Sequence, residues 1–320
     1  MFRLVGRRTC DERIQQVRAI DGRTCDDEGV ESPLVQSARQ LIADTVRARI
    51  VGADPEERAR ELFEAEGERW FSDDRPIKIV HSDVSMFVGG LRALLLQSLH
   101  PLAMAGVAQH SDYRADPWGR LQRTADFLAA TTFGPADEAQ RAIDTVKRVH
   151  TRVVGTASDG RPYAANDPHL LKWVHLAELD SFLTAHDAYG QTHLDDARRD
   201  GYVADMAVVA EALGVMDAPR SVRDLDDQLR QYRPELKTTP EARDVARYLL
   251  VTPPMPLVVR PAYGLLGAAA VGLLPLWARR SLRLPWMPVS ERFVVRPAAT
   301  AMVTALRWAM APQAPFTARS

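Results

Sequence analysis

Residues 89–155 hold three of the chain's eight histidines, His100, His110 and His150, with Arg120, Arg123 and Thr124 between them. His150 follows Ile143 and Val146 and precedes Val153, so it stands in an otherwise apolar helical stripe. A histidine so placed is either a satisfied core residue or a ligand projecting into an apolar pocket. Arg120, Arg123 and Thr124 fall at i, i+3 and i+4 and share one helix face, which Phe127 and Leu128 continue inward. At a surface such a face is simply solvated. Partly buried, its guanidinium pair requires an anion. The propionates of a haem would serve, and so would Asp116 or Asp126. One axial histidine on a helix, an apolar pocket and basic groups are what a haem site asks of a sequence. His175 is a second ligand candidate on an apolar helix face, with Glu178 one turn away to orient it or compete with it.

Other chemistries find less support. Zinc sites need Cys or His pairs at short spacing, such as two histidines four apart on a helix. The histidines at 100, 110, 150, 169, 175, 186 and 193 never show it. A di-iron carboxylate bundle needs Glu-x-x-His on two helices, and the chain offers only the reversed His175-Leu176-Ala177-Glu178, once. No Gly-x-Ser-x-Gly, P-loop or dinucleotide-binding glycine pattern occurs.

The elements that must position these residues are helices. Residues 89–102 carry Leu91, Leu94, Leu95, Ser98, Leu99 and Leu102 at helical spacing, with Pro101 and Gly106 disturbing the run. Asp116-Pro117 opens a second helix that Gly134-Pro135 ends. A third runs from about Asp137 to Val154. These three are expected to wall the cofactor pocket. A turn-rich stretch, residues 155–168, leaves room for a small hairpin. Asn166-Asp167-Pro168 then caps a fourth helix presenting Leu171, His175, Glu178, Leu179 and Phe182 inward.

Upstream, residues 35–51 and the stretch after Asp54-Pro55 also read as helices, the latter turning Ala59, Leu62, Phe63 and Trp70 inward. Ile77, Ile79 and Val80 suggest a brief strand or extended entry, and His81 a capping or solvent-facing histidine. Further helical patterns fill residues 192–250. Residues 261–278 carry no charge but sit at the lower length limit for a membrane span, with glycines and Pro275 inside. A buried core helix is the better reading, with peripheral membrane contact next and full spanning last. No repeat of 20–50 residues recurs.

The fold class that follows is all-α, one large helical domain over residues 36–310. A polar, loosely ordered lead-in precedes it at 1–35, and a tail follows at 311–320. At 320 residues and 46% hydrophobic the chain can bury a substantial core, and its net charge of -1 gives no electrostatic case for nucleic acid. Cys10 and Cys25 are too few for a disulfide framework and match no zinc spacing, which suggests incidental thiols in a reducing compartment. The N-terminus has no apolar run of signal-peptide length, and a cytoplasmic location is expected.

The motifs Leu95-Leu96-Gln97-Ser98-Leu99-His100-Pro101, Gly106-Val107, His110-Ser111, Tyr113-Arg114, Asp116-Pro117, Arg120-Leu121-Gln122-Arg123-Thr124 and Val149-His150 occur in that order. Tyr163-Ala164, Asp167-Pro168, Trp173-Val174-His175 and Leu274-Pro275 with Arg279 follow. As a set, over roughly residues 75–290, they resemble the MpaB-type oxygenases, which include the rubber oxygenases or latex-clearing proteins. The resemblance implies an all-α fold with a globin-like core binding haem b. It implies His150 as the iron's proximal ligand, and Arg120, Arg123 and Thr124 as the counterpart of an Arg-x-x-Lys-Thr motif. Arg123 replaces the motif's lysine. An arginine stays protonated and cannot offer iron a neutral amine, so Arg123 is expected to act on propionates or bound dioxygen. The glutamate base that rubber oxygenases carry upstream of the motif has no counterpart, since no Glu lies between Glu68 and Glu138. Polyisoprene cleavage is therefore not expected. His110 or His100 is a candidate replacement base or distal ligand, or else each caps its own helix end.

The expected function is a haem b-dependent oxidoreductase that activates dioxygen beside a hydrophobic substrate such as an isoprenoid or lipid chain. A non-catalytic haem or lipid carrier, and a cofactor-free helical protein at a membrane surface, are the alternatives.

Overall fold

The structure, a computed structural model, describes Gln36, Arg39, Gln40, residues 60–111 and residues 113–311. The chain divides into two units, Met1–Leu41 and Ile42–Ser320. In the first, the three described residues are helical. The polar lead-in, both cysteines, most of the 35–51 helix, the Asp54-Pro55 cap and residues 312–320 lie outside the described residues. The second unit is all-α apart from one small hairpin among its described residues.

Helix α1 (Pro76–His81) occupies the stretch where Ile77, Ile79 and Val80 suggested a strand. Proline at the first helical position, with φ preset and no N–H to lose, starts the helix and overrides the β-branched run. Helix α2 (Met86–Gln97) and helix α3 (Pro101–His110) replace the single helix read across Pro101, and they meet at 106°. Pro101 is the first residue of the second helix rather than a kink within one, because a proline ring clashes with the turn before it. Helix α4 (Pro117–Phe133) begins on the Asp116 cap, whose carboxylate accepts from Gly119 N at 2.9 Å. Helix α5 (Ala136–His150) ends at His150, so Val153 falls beyond it. Strands β1 (Val154–Thr156) and β2 (Pro162–Ala164) form the antiparallel hairpin, with Gly155 opposite Tyr163 and Gly160 at φ 85° in the turn.

Helix α6 (Pro168–Tyr189), capped by Asp167, is the axis of the fold. Trp173, Leu176, Leu179 and Phe182 bury into the main core. Helix α2 packs along it most extensively. Gly89 allows that approach: a Cβ there would lie 2.9 Å from Phe182 Cδ1 and 3.2 Å from Ser181 O. Arg92 of α2, 2% exposed, is held between Asp180 Oδ2 at 2.7 Å and Ser181 Oγ at 2.7 Å. Such a buried ion pair adds little net stability, but removing either partner would strand the other charge in the core.

Helices α7 (Asp196–Leu213), α8 (Val222–Tyr232) and α9 (Pro240–Leu250) pack around this centre. The apolar 261–278 segment is not one helix. It divides at Pro275 into α10 (Arg260–Leu273) and α11 (Leu276–Leu282). Gly267, Ala269, Ala270 and Val271 of α10 are buried, which makes it a core helix on one face. A π-helical turn at Glu291–Val295 leads into α12 (Arg296–Met310), whose Arg307 reaches back to Asp83. Among the described residues no single helix is long and apolar enough to cross a membrane. The bent pair α2–α3 passes by length and composition alone, and it contributes Leu95, Leu96 and Met104 to the core.

Candidate functional site

Two residues, Gly134-Pro135, join α4 to α5, and the helices pack on each other. A connection that short makes them antiparallel neighbours. Arg120 lies 14 residues before Gly134 (134 − 120) and His150 lies 15 after Pro135 (150 − 135). At about 1.5 Å rise per residue they stand at nearly the same level, at the end of the hairpin away from its turn.

Arg120 is half-buried there, and its Nη1 donates to Ser111 Oγ at 2.6 Å. It has no carboxylate partner among the described residues. Burial, then the charge of Arg123, lowers its pKa from the ordinary guanidinium value. The His150 ring is half-buried, and burial lowers its pKa, which favours neutral imidazole, the form that binds metal. His110, on the exposed end of α3, places Nε2 3.1 Å from Val154 O, so that nitrogen ties α3 to β1. Two motif residues stand apart from this half-buried group. Arg123 is exposed and pairs with Asp116 at 3.2 Å, the carboxylate alternative that its position left open. Thr124 is exposed and donates its hydroxyl to Arg120 O at 3.0 Å on its own helix.

A second polar group lies inside the core. His175 of α6 is 7% exposed, and its Nε2 is buried without a hydrogen-bond partner among the described residues. Burial, with a smaller contribution from Lys172, brings its pKa down to about 4. One turn on, burial pushes the Glu178 carboxyl up to about 7, against the opposing bond from Gln97 Nε2 to its Oε1 at 3.2 Å. The charge of Glu178 in turn helps raise the pKa of Tyr202, which burial raises most. Tyr202 OH lies 3.2 Å from His81 Nε2, and His81 Nδ1 lies 2.8 Å from Thr132 Oγ1. His81 is thus neither a cap nor solvent-facing. Burial takes its pKa to about 3 and keeps it neutral. Sequence spacing pairs only two members of this cluster, because the others come from α1, α2, α4 and α7. The one available signal was His175-x-x-Glu178, which places both side chains on one helix face.

The third group forms around His100, which is 1% exposed. Its Nδ1 accepts from Ala103 N at 3.4 Å, capping α3 as its position before Pro101 suggested. Its Nε2 faces Glu235 Oε2 at 3.5 Å, and His169 Nε2 lies 2.9 Å from the same oxygen. The three potential ligand atoms lie within 4.8 Å of one another and could share a cation. To ligate through Nε2, however, His100 would have to carry its proton on Nδ1 and surrender the cap. As the structure stands, His169 Nε2 bonds the carboxylate, while His100 Nε2 faces it at 3.5 Å and is buried without a hydrogen-bond partner among the described residues. Burial alone would raise the Glu235 pKa, but His169 and His100 beside it hold it below the ordinary value.

A family model described as "ER-bound oxygenase mpaB/B'/Rubber oxygenase, catalytic domain" matches residues 78–308. Comparison with curated proteins and with solved structures returns no match. The matched span contains all three polar groups.

Proposed function

The chain belongs to the family of ER-bound oxygenase mpaB/B′ and rubber oxygenase catalytic domains, and from that premise we propose that it is a haem b-dependent oxygenase acting on a hydrophobic substrate. Membership makes it an oxygenase-type catalytic domain. The haem, its ligand and the substrate class are the proposal.

What carries it is Arg120, a half-buried guanidinium with no carboxylate partner among the described residues, which helix rise sets at about the level of His150, whose imidazole burial favours in the neutral form. An unpaired cation held away from water is costly unless an anion completes it. Haem propionates are such anions, and neutral imidazole is the donor that haem iron takes. The residues therefore fit the group. His150 would hold the iron, and Arg120 would hold a propionate. Arg123 would join it by exchanging Asp116 for the same partner. When bound, haem supplies the iron on which dioxygen is activated.

Thr124 spends its hydroxyl on the Arg120 carbonyl of its own helix. Glu178 is the carboxyl able to take or give a proton near neutral pH, because burial has moved its pKa to about 7. That property supports Glu178 as the acid–base group of a chain without a glutamate just upstream of the arginine motif. An apolar substrate suits an interior lined by leucines.

The test is the absorption spectrum of the purified protein, as isolated and after haem reconstitution. A Soret band lost in His150→Ala and retained in His175→Ala supports the assignment. A protein that stays colourless after reconstitution refutes it. The reverse pattern of loss favours a second reading, in which His175 is the ligand. The Nε2 of His175, buried and without a hydrogen-bond partner among the described residues, supports that reading.

A further inference from the structure

Residues 251–300 contain six arginines, Arg260, Arg279, Arg280, Arg283, Arg292 and Arg296, and a single carboxylate, Glu291. Arg279 is buried and takes that carboxylate with two bonds, at 2.7 and 2.9 Å. The other five arginines are exposed, and none has a carboxylate partner among the described residues. The same segment holds a concentration of exposed large apolar side chains. Val258 is 86% exposed, Leu257 76%, Val289 70%, Phe293 69%, Val294 64% and Trp286 58%.

These residues flank the apolar helix rather than occupy it. The 3-10 turn Leu257–Val259 runs directly into α10, and the π turn Glu291–Val295 packs against that same helix. Helix α10 turns Gly267, Ala269, Ala270 and Val271 into the core. The segment thus anchors itself by its small residues and leaves its largest hydrophobic groups outside. Scattered exposed leucines need no account, but a run of Leu, Val, Trp and Phe within one segment marks an interaction surface.

The charge decides between partners. Five unneutralised arginines interleaved with a tryptophan, a phenylalanine and aliphatic groups complement an anionic bilayer, where apolar groups enter the headgroup boundary and arginines meet phosphates. Arg292 lies over the Phe293 ring at 5.6 Å, which places cation and ring together as an interface requires.

We propose that the exposed turns at 257–258 and 286–294, with Arg260, Arg280, Arg283, Arg292 and Arg296, dock this domain peripherally on an anionic phospholipid surface. The docking face lies beside the uncharged 261–278 stretch, not along it. The proposal is independent of the haem assignment, because every residue in it lies outside the three polar groups.

The experiment is flotation of the full chain with vesicles of phosphatidylcholine alone and of phosphatidylcholine doped with phosphatidylserine. The expected result is co-flotation with the doped vesicles that weakens as salt is raised. Trp286→Ser combined with Phe293→Ser should lower that binding at least tenfold. Arg283→Ala and Arg292→Ala should each cost on the order of fivefold, from about 1 kcal/mol per basic residue near the surface. All four positions are exposed, so an unchanged far-UV circular dichroism spectrum is expected and is checked alongside. No flotation with doped vesicles overturns the proposal, as does flotation unaffected by these substitutions. A double variant that floats like wild type but changes the mass measured in solution overturns it in favour of a protein partner.

Discussion

Replacing Glu178 by Gln should change how stability depends on pH, with a sign and size that follow from the core. Burial places the folded-state pKa of Glu178 at about 7, against an ordinary 4.5. At 1.36 kcal/mol per unit, that difference is worth roughly 3 kcal/mol. Between those two values the folded protein keeps a proton that the unfolded chain has released. The contribution of Glu178 to stability therefore falls as pH rises through this window and levels off above the folded pKa. His175 and His81 act oppositely. Their folded pKa values, about 4 and about 3, lie below the ordinary 6.5, so stability is lost as pH falls from 6.5 through those values. The wild-type profile sums these trends, and only the difference between wild type and Glu178→Gln isolates the carboxyl. Glutamine is isosteric, and its side-chain oxygen can still accept from Gln97 Nε2, now 3.2 Å from Glu178 Oε1. Urea denaturation of both proteins at pH 5 and pH 8 is the assay. The variant should exceed wild type by about 1 kcal/mol at pH 5 and by roughly 3 kcal/mol at pH 8. A constant difference between the two proteins across that range would show that Glu178 is not held protonated by burial, and would remove it as the proposed acid–base group.

Three further outcomes are expected. Asp83→Ala should cost about 3 kcal/mol in denaturant unfolding, because it strands Arg307, which bonds both Asp83 carboxylate oxygens, and removes the acceptor for Ser85 N at 2.8 Å. A cost below about 1 kcal/mol would mean that the pair is open to water. Gly89→Ala should destabilise by about 1–3 kcal/mol, since its Cβ would meet Phe182 and Ser181 where α2 crosses α6, and Phe182→Leu in the same chain should recover part of that loss. Arg120→Met should move two readouts in opposite directions. It should leave the haem-free protein as stable or up to about 1 kcal/mol more so, by removing a half-buried charge, while weakening haem retention in a Soret titration. Unchanged haem retention in that variant would separate Arg120 from the propionates.

Most of the helices could be read from the sequence because the signals that start and stop them are local. Asp116-Pro117 and Asp167-Pro168 each supply a capping carboxylate and a preset φ within two residues, and both helices begin where those pairs stand. The hairpin within 155–168 follows likewise from its turn residues. Local signals failed where two of them competed. The β-branched run at Ile77–Val80 argues for a strand or an extended entry, but Pro76 opens a helix there, and Pro101 interrupts the apolar run of the sequence yet begins a new helix in the structure.

The candidate site was legible only in part. Helical spacing aligned Arg120 with Thr124 and identified His150 and His175 as histidines on apolar faces. Spacing could not say that Arg123 and Thr124 would face solvent or that Arg120 would not, because one helix face can cross the boundary of the core. Nor could it bring His81 to Thr132 and Tyr202, which lie 51 and 121 residues away. Most helix starts and caps, and the residue types available for chemistry, rest on neighbours within a few positions and so are legible in the chain alone. Packing across the whole chain sets which imidazoles burial favours as neutral and which carboxyl it pushes up to about 7. Desolvation depends on what the rest of the chain packs around a group, and no short window of sequence contains it.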